Sequence, residues 1–362
     1  MNYNMLAQLS FLFLAATFVN AGTPTHEYHV LPPVTKGNLT IFPIVGGADS
    51  NTTDLLTLDE GVRSGLVVVA EAGSLRGLIR PGPDTPRAAG AEVNRLVLVN
   101  NSDRPLLLLA GEVVTGGKQD RVIGLDRIVP PKSGPIDLSV FCVEHGRWVA
   151  SSERFGSMKS QMVQPSVRMP AMATRNQQSV WDTVASALGG MAAAAPQASP
   201  SLRATTSYAK AMQNPDVDKK LASIVDDYDG LLRELRKVGA KGVVVAINGR
   251  ITWADAFAST DLLEKYWQKL IRSYAADSLT TTSYNGQANQ QAAQLFLDQL
   301  QGTREVTETE PGLFRRTETT GEGYKVFTLT SLLPKYAYTV HLAKMAYTDS
   351  VWQGVQSERV VR

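Results

Sequence analysis

The 362-residue chain has a single cysteine, Cys142, and four histidines. One thiol cannot close an intramolecular disulfide, so stability has to come from packing, and a lone cysteine is usually a buried, inert one. His26, His29, His145 and His341 show no His-x-x-x-His spacing and stand beside no cysteine pair, so no metal site is assigned. A surplus of one charge is missing as well: 36 Lys and Arg face 34 Asp and Glu, and no block of five or six like charges occurs. Displacing counterions from nucleic acid takes a concentrated basic stripe, so no nucleic-acid partner is expected. Beyond Gly22 the apolar runs are short, such as 106–110 and 243–247. A membrane-crossing helix needs roughly 20 apolar residues, which excludes a helical span in the mature chain. With 43% hydrophobic residues, there is enough for one large core or two smaller ones.

The first 21 residues carry no charged side chain. Residues 6–19 (LAQLSFLFLAATFV) are mostly apolar, and Val19-Asn20-Ala21 then offers small residues where a signal peptidase cuts. This is the pattern of a cleaved export signal, although only the terminal amine supplies its positive end. The expectation is a signal peptide over 1–21 and a soluble mature chain in the periplasm or outside the cell. An N-terminal core helix is the alternative.

Residues 29–149 read as strands and turns. Runs at 39–45, 65–70, 95–100, 106–110 and 136–143 are rich in leucine and β-branched residues, and Gly-Gly, Pro-Gly-Pro and Asn-Asn-Ser-Asp clusters separate them. An antiparallel sheet, sandwich or barrel follows, with one short helix at 57–63. After Trp148 the texture changes. Residues 177–195 carry helical spacing and decay into an Ala/Pro/Ser tract that reads as a flexible linker or exposed loop. A helix over 215–237 is marked by Asn214 as cap, Pro215 at the first turn and Gly239 at the exit. Asn248-Gly249 between two apolar runs predicts a β-hairpin. Helices at 260–276 and 288–300 follow, then further strands. The fold class is therefore α+β, with a β-rich part over 22–170, a helix and linker over 171–204, and an α+β part over 205–362. The whole of 22–362 also fits one family domain.

Three stretches are distinctive: 107–121 (LLLAGEVVTGGKQDR), 138–148 (LSVFCVEHGRW) and 238–257 (VGAKGVVVAINGRITWADAF). Together they resemble the family named for its association with ADP-ribosylglycohydrolases and with rhodanese-phosphatase proteins. Gly111, Glu112, Gly116, Lys118, Gln119 and Arg121 match its first segment, and Cys142, Val143, Glu144, Gly146, Arg147 and Trp148 match its second. Val113, Val114, Gly117 and Asp120 depart from it, and Val113 removes a glutamate. Weaker similarity reaches 39–43, 58–61 and 340–343. The resemblance implies no activity; the family's name hints at ADP-ribose or NAD-related chemistry by association alone.

Residues 111–121 are not a phosphate-binding P-loop, because the glycine spacing is off by one and Gln119 replaces the hydroxyl that would hold magnesium. Gly116-Gly117 with Lys118 and Arg121 can receive an anion, or can be a turn flanked by solvated charges. Glu144, Arg147 and Trp148 can grip a planar polar ligand, or can pair and pack internally. On a strand Cys142 and His145 point apart, which disfavours a catalytic pair; whether Cys142 is functional or core stays open. Asp255, just ahead of the 260–276 helix, is expected to cap it, or else to bind a ligand or a metal.

The candidate ligand-binding residues are thus Glu112, Lys118, Gln119, Arg121, Glu144, Arg147 and Trp148, with no catalytic residue, reaction or cofactor assigned. The leading expectation is an exported domain binding an anionic or nucleotide-like small ligand. The alternative is a noncatalytic structural or interaction protein of the cell envelope. Asn38-Leu39-Thr40, Asn51-Thr52-Thr53 and Asn100-Asn101-Ser102 fit glycosylation acceptors of a eukaryotic host.

Overall fold

The computed structural model describes residues 28–72, 96–146, 152, 154–281, 286–309, 313–334 and 337–347. The expected signal peptide, Arg147 and Trp148 lie outside them. Near the start come strands β1 (Tyr28–Val30), β2 (Val34–Lys36) and β3 (Leu39–Gly46). The next stretch gives β4 (Leu56–Thr57), β5 (Val67–Glu71), β6 (Leu96–Asn100), β7 (Leu106–Leu108), β8 (Glu112–Thr115) and β9 (Arg121–Ile123). It continues through β10 (Arg127–Val129), β11 (Ile136–Leu138), β12 (Val140–Cys142) and β13 (Arg154–Met162). The last strands are β14 (Gly242–Ile247), β15 (Arg250–Phe257), β16 (Thr303–Thr309), β17 (Phe314–Gly321), β18 (Tyr324–Ser331) and β19 (Thr339–Ala346).

Helix α1 (Leu58–Arg63) lies in the β-rich half, and α2 (Pro165–Met169) closes it. Then follow α3 (Gln177–Ala194), α4 (Ser199–Arg203), α5 (Tyr208–Met212), α6 (Pro215–Asp226) and α7 (Leu231–Lys237). The 21-residue α8 (Thr260–Thr280) and α9 (Gln290–Asp298) come last.

Among the described residues, an antiparallel sheet runs β1-β3-β14-β15-β19-β18-β17-β16, with β2 also on β3. A second body holds a seven-stranded sheet, β11-β6-β5-β13-β8-β9-β12, and a three-stranded one, β10-β7-β4. This is the expected α+β class. β14 reads GVVVAI, an unbroken apolar run, because it is a central strand buried on both faces. Val243, Val245 and Ile247 share a core with Tyr266, Leu270 and Tyr274 of α8, together with Leu107 and Leu109 of the β-rich body. Val244 and Ala246 pack with Ala293 and Leu297 of α9 on the other side. The hairpin between β14 and β15 turns at Asn248 (φ 52°) and Gly249 (φ 76°), the positive pair that an Asn-Gly type I′ turn requires. Lys344 is fully buried on β19, and its ammonium donates to the carbonyls of Phe296 and Gln299, so it caps the end of α9.

Two expectations changed, and one strand was not foreseen. The helix over 215–237 is two helices: Gly230 takes φ 85°, and the Tyr228 hydroxyl turns inward to donate to the Leu39 carbonyl and accept from the Lys36 amide (3.2 Å). The Ala/Pro/Ser tract is a folded corner, a 3-10 turn at Pro196–Ala198 followed by α4, with Ala195, Ala198 and Leu202 buried against α3. Strand β13, which joins β5 to β8, carries too many polar residues to announce itself.

Candidate functional site

The segment that opens the family resemblance turns back on itself at Gly111 (φ 96°). The carboxylate of Glu112 closes that turn by accepting the Leu109 amide (2.8 Å). Glu112 is fully buried, and Lys269 of α8 reaches it at 2.5 Å and Asp59 at 3.1 Å. Burial by itself would push the Lys269 ammonium toward neutrality; the two carboxylates reverse this and hold its pKa above the ordinary lysine value. The Tyr266 hydroxyl, one turn earlier on α8, donates to the Leu107 carbonyl (3.1 Å). Glu112 therefore docks the β-rich body onto α8.

Gly111 has a second role. A Cβ there would sit 2.5 Å from Cγ of Arg168, so only glycine leaves room for that side chain. Arg168, on α2, makes a two-pronged pair with Asp255 at 3.0 and 3.1 Å and lies 4.6 Å from the centre of the Trp253 ring. Asp255 also accepts from Trp253 Nε1 (2.9 Å), the Tyr274 hydroxyl (2.5 Å) and His341 Nε2 (3.1 Å). Burial would raise the Asp255 pKa, but Arg168 and then His341 override it, and the carboxyl stays ionised well below the usual range. His341 Nδ1 meets Asp126 at 2.6 Å, and Asp126 accepts the Ala110 amide (2.7 Å). Burial would lower the imidazole pKa; Asp126 and Asp255 raise it to about 9. Placed between two carboxylates, His341 is an imidazolium with both nitrogens donating, and no ring nitrogen is left to take a proton from a substrate. Asp255 is thus not the cap of α8, a place filled by Ser259, whose hydroxyl accepts the Leu262 amide (3.1 Å).

The remaining predicted residues gather elsewhere. Gly116 (φ 138°) and Gly117 (φ 50°) form the expected turn, and a Cβ on Gly117 would fall 2.4 Å from the Phe155 ring. Two amides that an anion would use are taken by carboxylates: Gly116 N–H donates to Asp120 (3.2 Å) and Lys118 N–H to Glu71 (2.9 Å). The Lys118 side chain is half-buried. Gln119 and Arg121 are buried, and Arg121 donates to Gln119 Oε1 (3.3 Å). Strand pairing sets Cys142 opposite Arg121, and the Val143 amide donates to the Asp120 carbonyl (3.1 Å). The two distant loops therefore meet at their backbones. Cys142 is a buried free thiol, its backbone bracketed by the Gln177 amide at 2.8 and 2.9 Å. Glu144 is buried and bridges to Ser207.

One residue further, the chain reaches open space. The exposed His145 meets the Trp181 ring edge-on at 4.5 Å, and its carbonyl accepts from Thr206. The two rings stand at one end of a cleft of about 600 Å³ between α3 and residues 202–206. Val184, Leu188 and Leu202 give it an apolar floor; Gln178, Asp182, Arg203 and Thr205 supply polar groups. Trp181 Nε1 is shielded from solvent and has no hydrogen-bond partner among the described residues. Among the described residues no group of three His, Cys, Asp or Glu side chains is arranged to hold a metal ion, and no helix is long and apolar enough to cross a membrane.

A family model, the ARG and Rhodanese-Phosphatase-superfamily-associated Protein domain, matches residues 27–345. The chain belongs to this family. No curated protein and no solved structure matches it. The ARG and Rhodanese-Phosphatase-superfamily-associated match spans both bodies, so the contacts that join them, Glu112 with Lys269 and Asp126 with His341, fall inside one family unit. Sequence reading missed Arg168, His341, Trp181 and Arg203. Trp181 falls in the 177–195 stretch of helical spacing, and Arg203 sits in the tract read as helix and linker.

Proposed function

We propose that the protein is an exported domain that binds a small anionic ligand bearing a flat ring, nucleotide-like in that sense, in the cleft beside His145. The observation that carries this reading is the cleft of about 600 Å³, which is lined by His145, the residue after the Glu144–Ser207 bridge. Trp181 and His145 offer ring faces and edges for a planar group, Arg203 offers a cation for its charge, and Asp182 offers an acceptor for hydroxyls. No reaction is assigned, since His341 is committed to two carboxylates and Cys142 is buried.

The test is a thermal-shift screen with ADP-ribose, nucleotides and sugar phosphates on the wild type, Trp181→Ala and Arg203→Ala. A shift in the wild type that both variants lose supports the reading; no shift, or one that both variants keep, sinks it. Export is tested separately by the mass of the protein outside the cytoplasm, which should lack about the first 21 residues. The second reading, a noncatalytic structural or interaction protein of the envelope, draws on the internal use of Glu112, Gln119 and Arg121.

A further inference from the structure

The three Asn-x-Ser/Thr tripeptides differ sharply in their surroundings. Glycan transfer needs an asparagine amide nitrogen that an enzyme can reach and a hydroxyl two residues on. Asn100 is fully buried, and its Nδ2 donates to the carbonyls of Arg104 (2.8 Å) and Pro130 (3.0 Å). Asn38 is half-buried, with Nδ2 donating to the Ser278 carbonyl at 2.9 Å. Asn51 is exposed in the loop between β3 and β4. Its Oδ1 accepts both the amide of Thr53 (3.1 Å) and the Thr53 hydroxyl (2.7 Å), an Asx turn that engages the oxygen. Its Nδ2 donates to no described group.

The loop backbone is anchored on both sides of this residue. The Ser50 amide donates to the Ala258 carbonyl (3.1 Å), the Thr52 and Ser259 hydroxyls meet at 2.5 Å, and the Tyr338 hydroxyl donates to the Asn51 carbonyl (2.9 Å). The Asn51 amide is therefore presented on a fixed loop. Asp49, two residues earlier, has a side chain that is 75% exposed and meets the Lys241 ammonium at 3.6 Å, a further tie on the loop.

We infer that Asn51 is an N-glycosylation site, the acceptor of an oligosaccharide carried on a polyprenyl pyrophosphate. Nδ2 attacks the anomeric carbon, the bond from that carbon to the pyrophosphate oxygen breaks, and the pyrophosphate leaves with the electron pair. The amide gives up one proton to a base of the transferase. The site rests on the export reading, because transfer takes place on the far side of the membrane.

The full chain with its own leader is produced in a eukaryotic secretory host and in a bacterium with a periplasmic oligosaccharyltransferase. Intact mass, and release of the glycan by an amidase in heavy-oxygen water, which converts the glycosylated asparagine to a labelled aspartate, read the position. The expected result is leader-free protein with glycan at Asn51 alone. Asn51→Gln and Thr53→Ala should remain at the unmodified mass, and Thr53→Ser should retain the glycan. Glycan at Asn38 or Asn100, or leader-free protein with a bare Asn51 in both hosts, overturns the site. Protein that keeps its leader inside the cell overturns export, and the site with it.

Discussion

Around Asp255 the charged groups are shut away from water and face one another; around His145 they face a cleft. The Asp255 carboxylate receives five donors from Arg168, Trp253, Tyr274 and His341, drawn from α2, β15, α8 and β19. His145, Asp182 and Arg203 instead stand at the rim of about 600 Å³ of open space. A charge out of water must be matched by partners, and losing one partner costs far more than the pair contributes net. An exposed charge is solvated already, and its removal costs little. Burial together with full pairing therefore marks a brace, whereas polar groups around a cavity mark a place for something to bind.

The largest effect should come from cutting the brace. Arg168→Met leaves Asp255 buried with a pairing cation gone, and should cost about 3–5 kcal/mol in chemical denaturation. A smaller effect is expected of pH. His341 has a folded-state pKa of about 9, above the ordinary 6.5, so its contribution is complete below 6.5 and disappears as pH climbs through 9. Asp255 behaves oppositely: its folded value is depressed, so its contribution is complete above the ordinary 3.8 and is lost as pH falls toward the depressed value. Lys344, whose burial lowers its pKa to about 7, works in the opposite direction over the same range, so the test is the difference: between pH 6.5 and 9.5 the wild type should lose stability relative to His341→Gln. Gly111→Ala adds a methyl against Arg168 and strains a φ of 96°, for about 1–3 kcal/mol by the same denaturation assay. Arg203→Ala should shift stability least, by less than about 1 kcal/mol, while removing any ligand-induced rise in melting temperature. An Arg203→Ala that unfolds as readily as Arg168→Met would erase the contrast.

The parts of the fold that were legible are those set by local chemistry. Asn248-Gly249 forces its turn, and Asn214 caps α6 by accepting the amides of Asp216 and Val217. The 107–121 and 138–148 segments stood out by their family resemblance, and their backbones pair at Arg121 and Cys142. What they do was not legible. Gly111 is explained by Arg168, 57 positions away, and Asp126 by His341, 215 positions away. No window along the chain contains both members of such a pair. Arg168 lies in a five-residue helix, too short to show a period. The break at Tyr228 was hidden for the same reason, because its partners, Lys36 and Leu39, belong to the opposite end of the sequence.

Strand β3 pairs with β14, setting Pro43 opposite Val243, and β15 then pairs with β19, setting Ala254 opposite Lys344. On a ribosome the first strands would emerge roughly two hundred residues ahead of their neighbours, and closure would wait for the final ones. For this sheet folding is a late, long-range event, whereas the two sheets built from β4 to β13 need no strand beyond Met162.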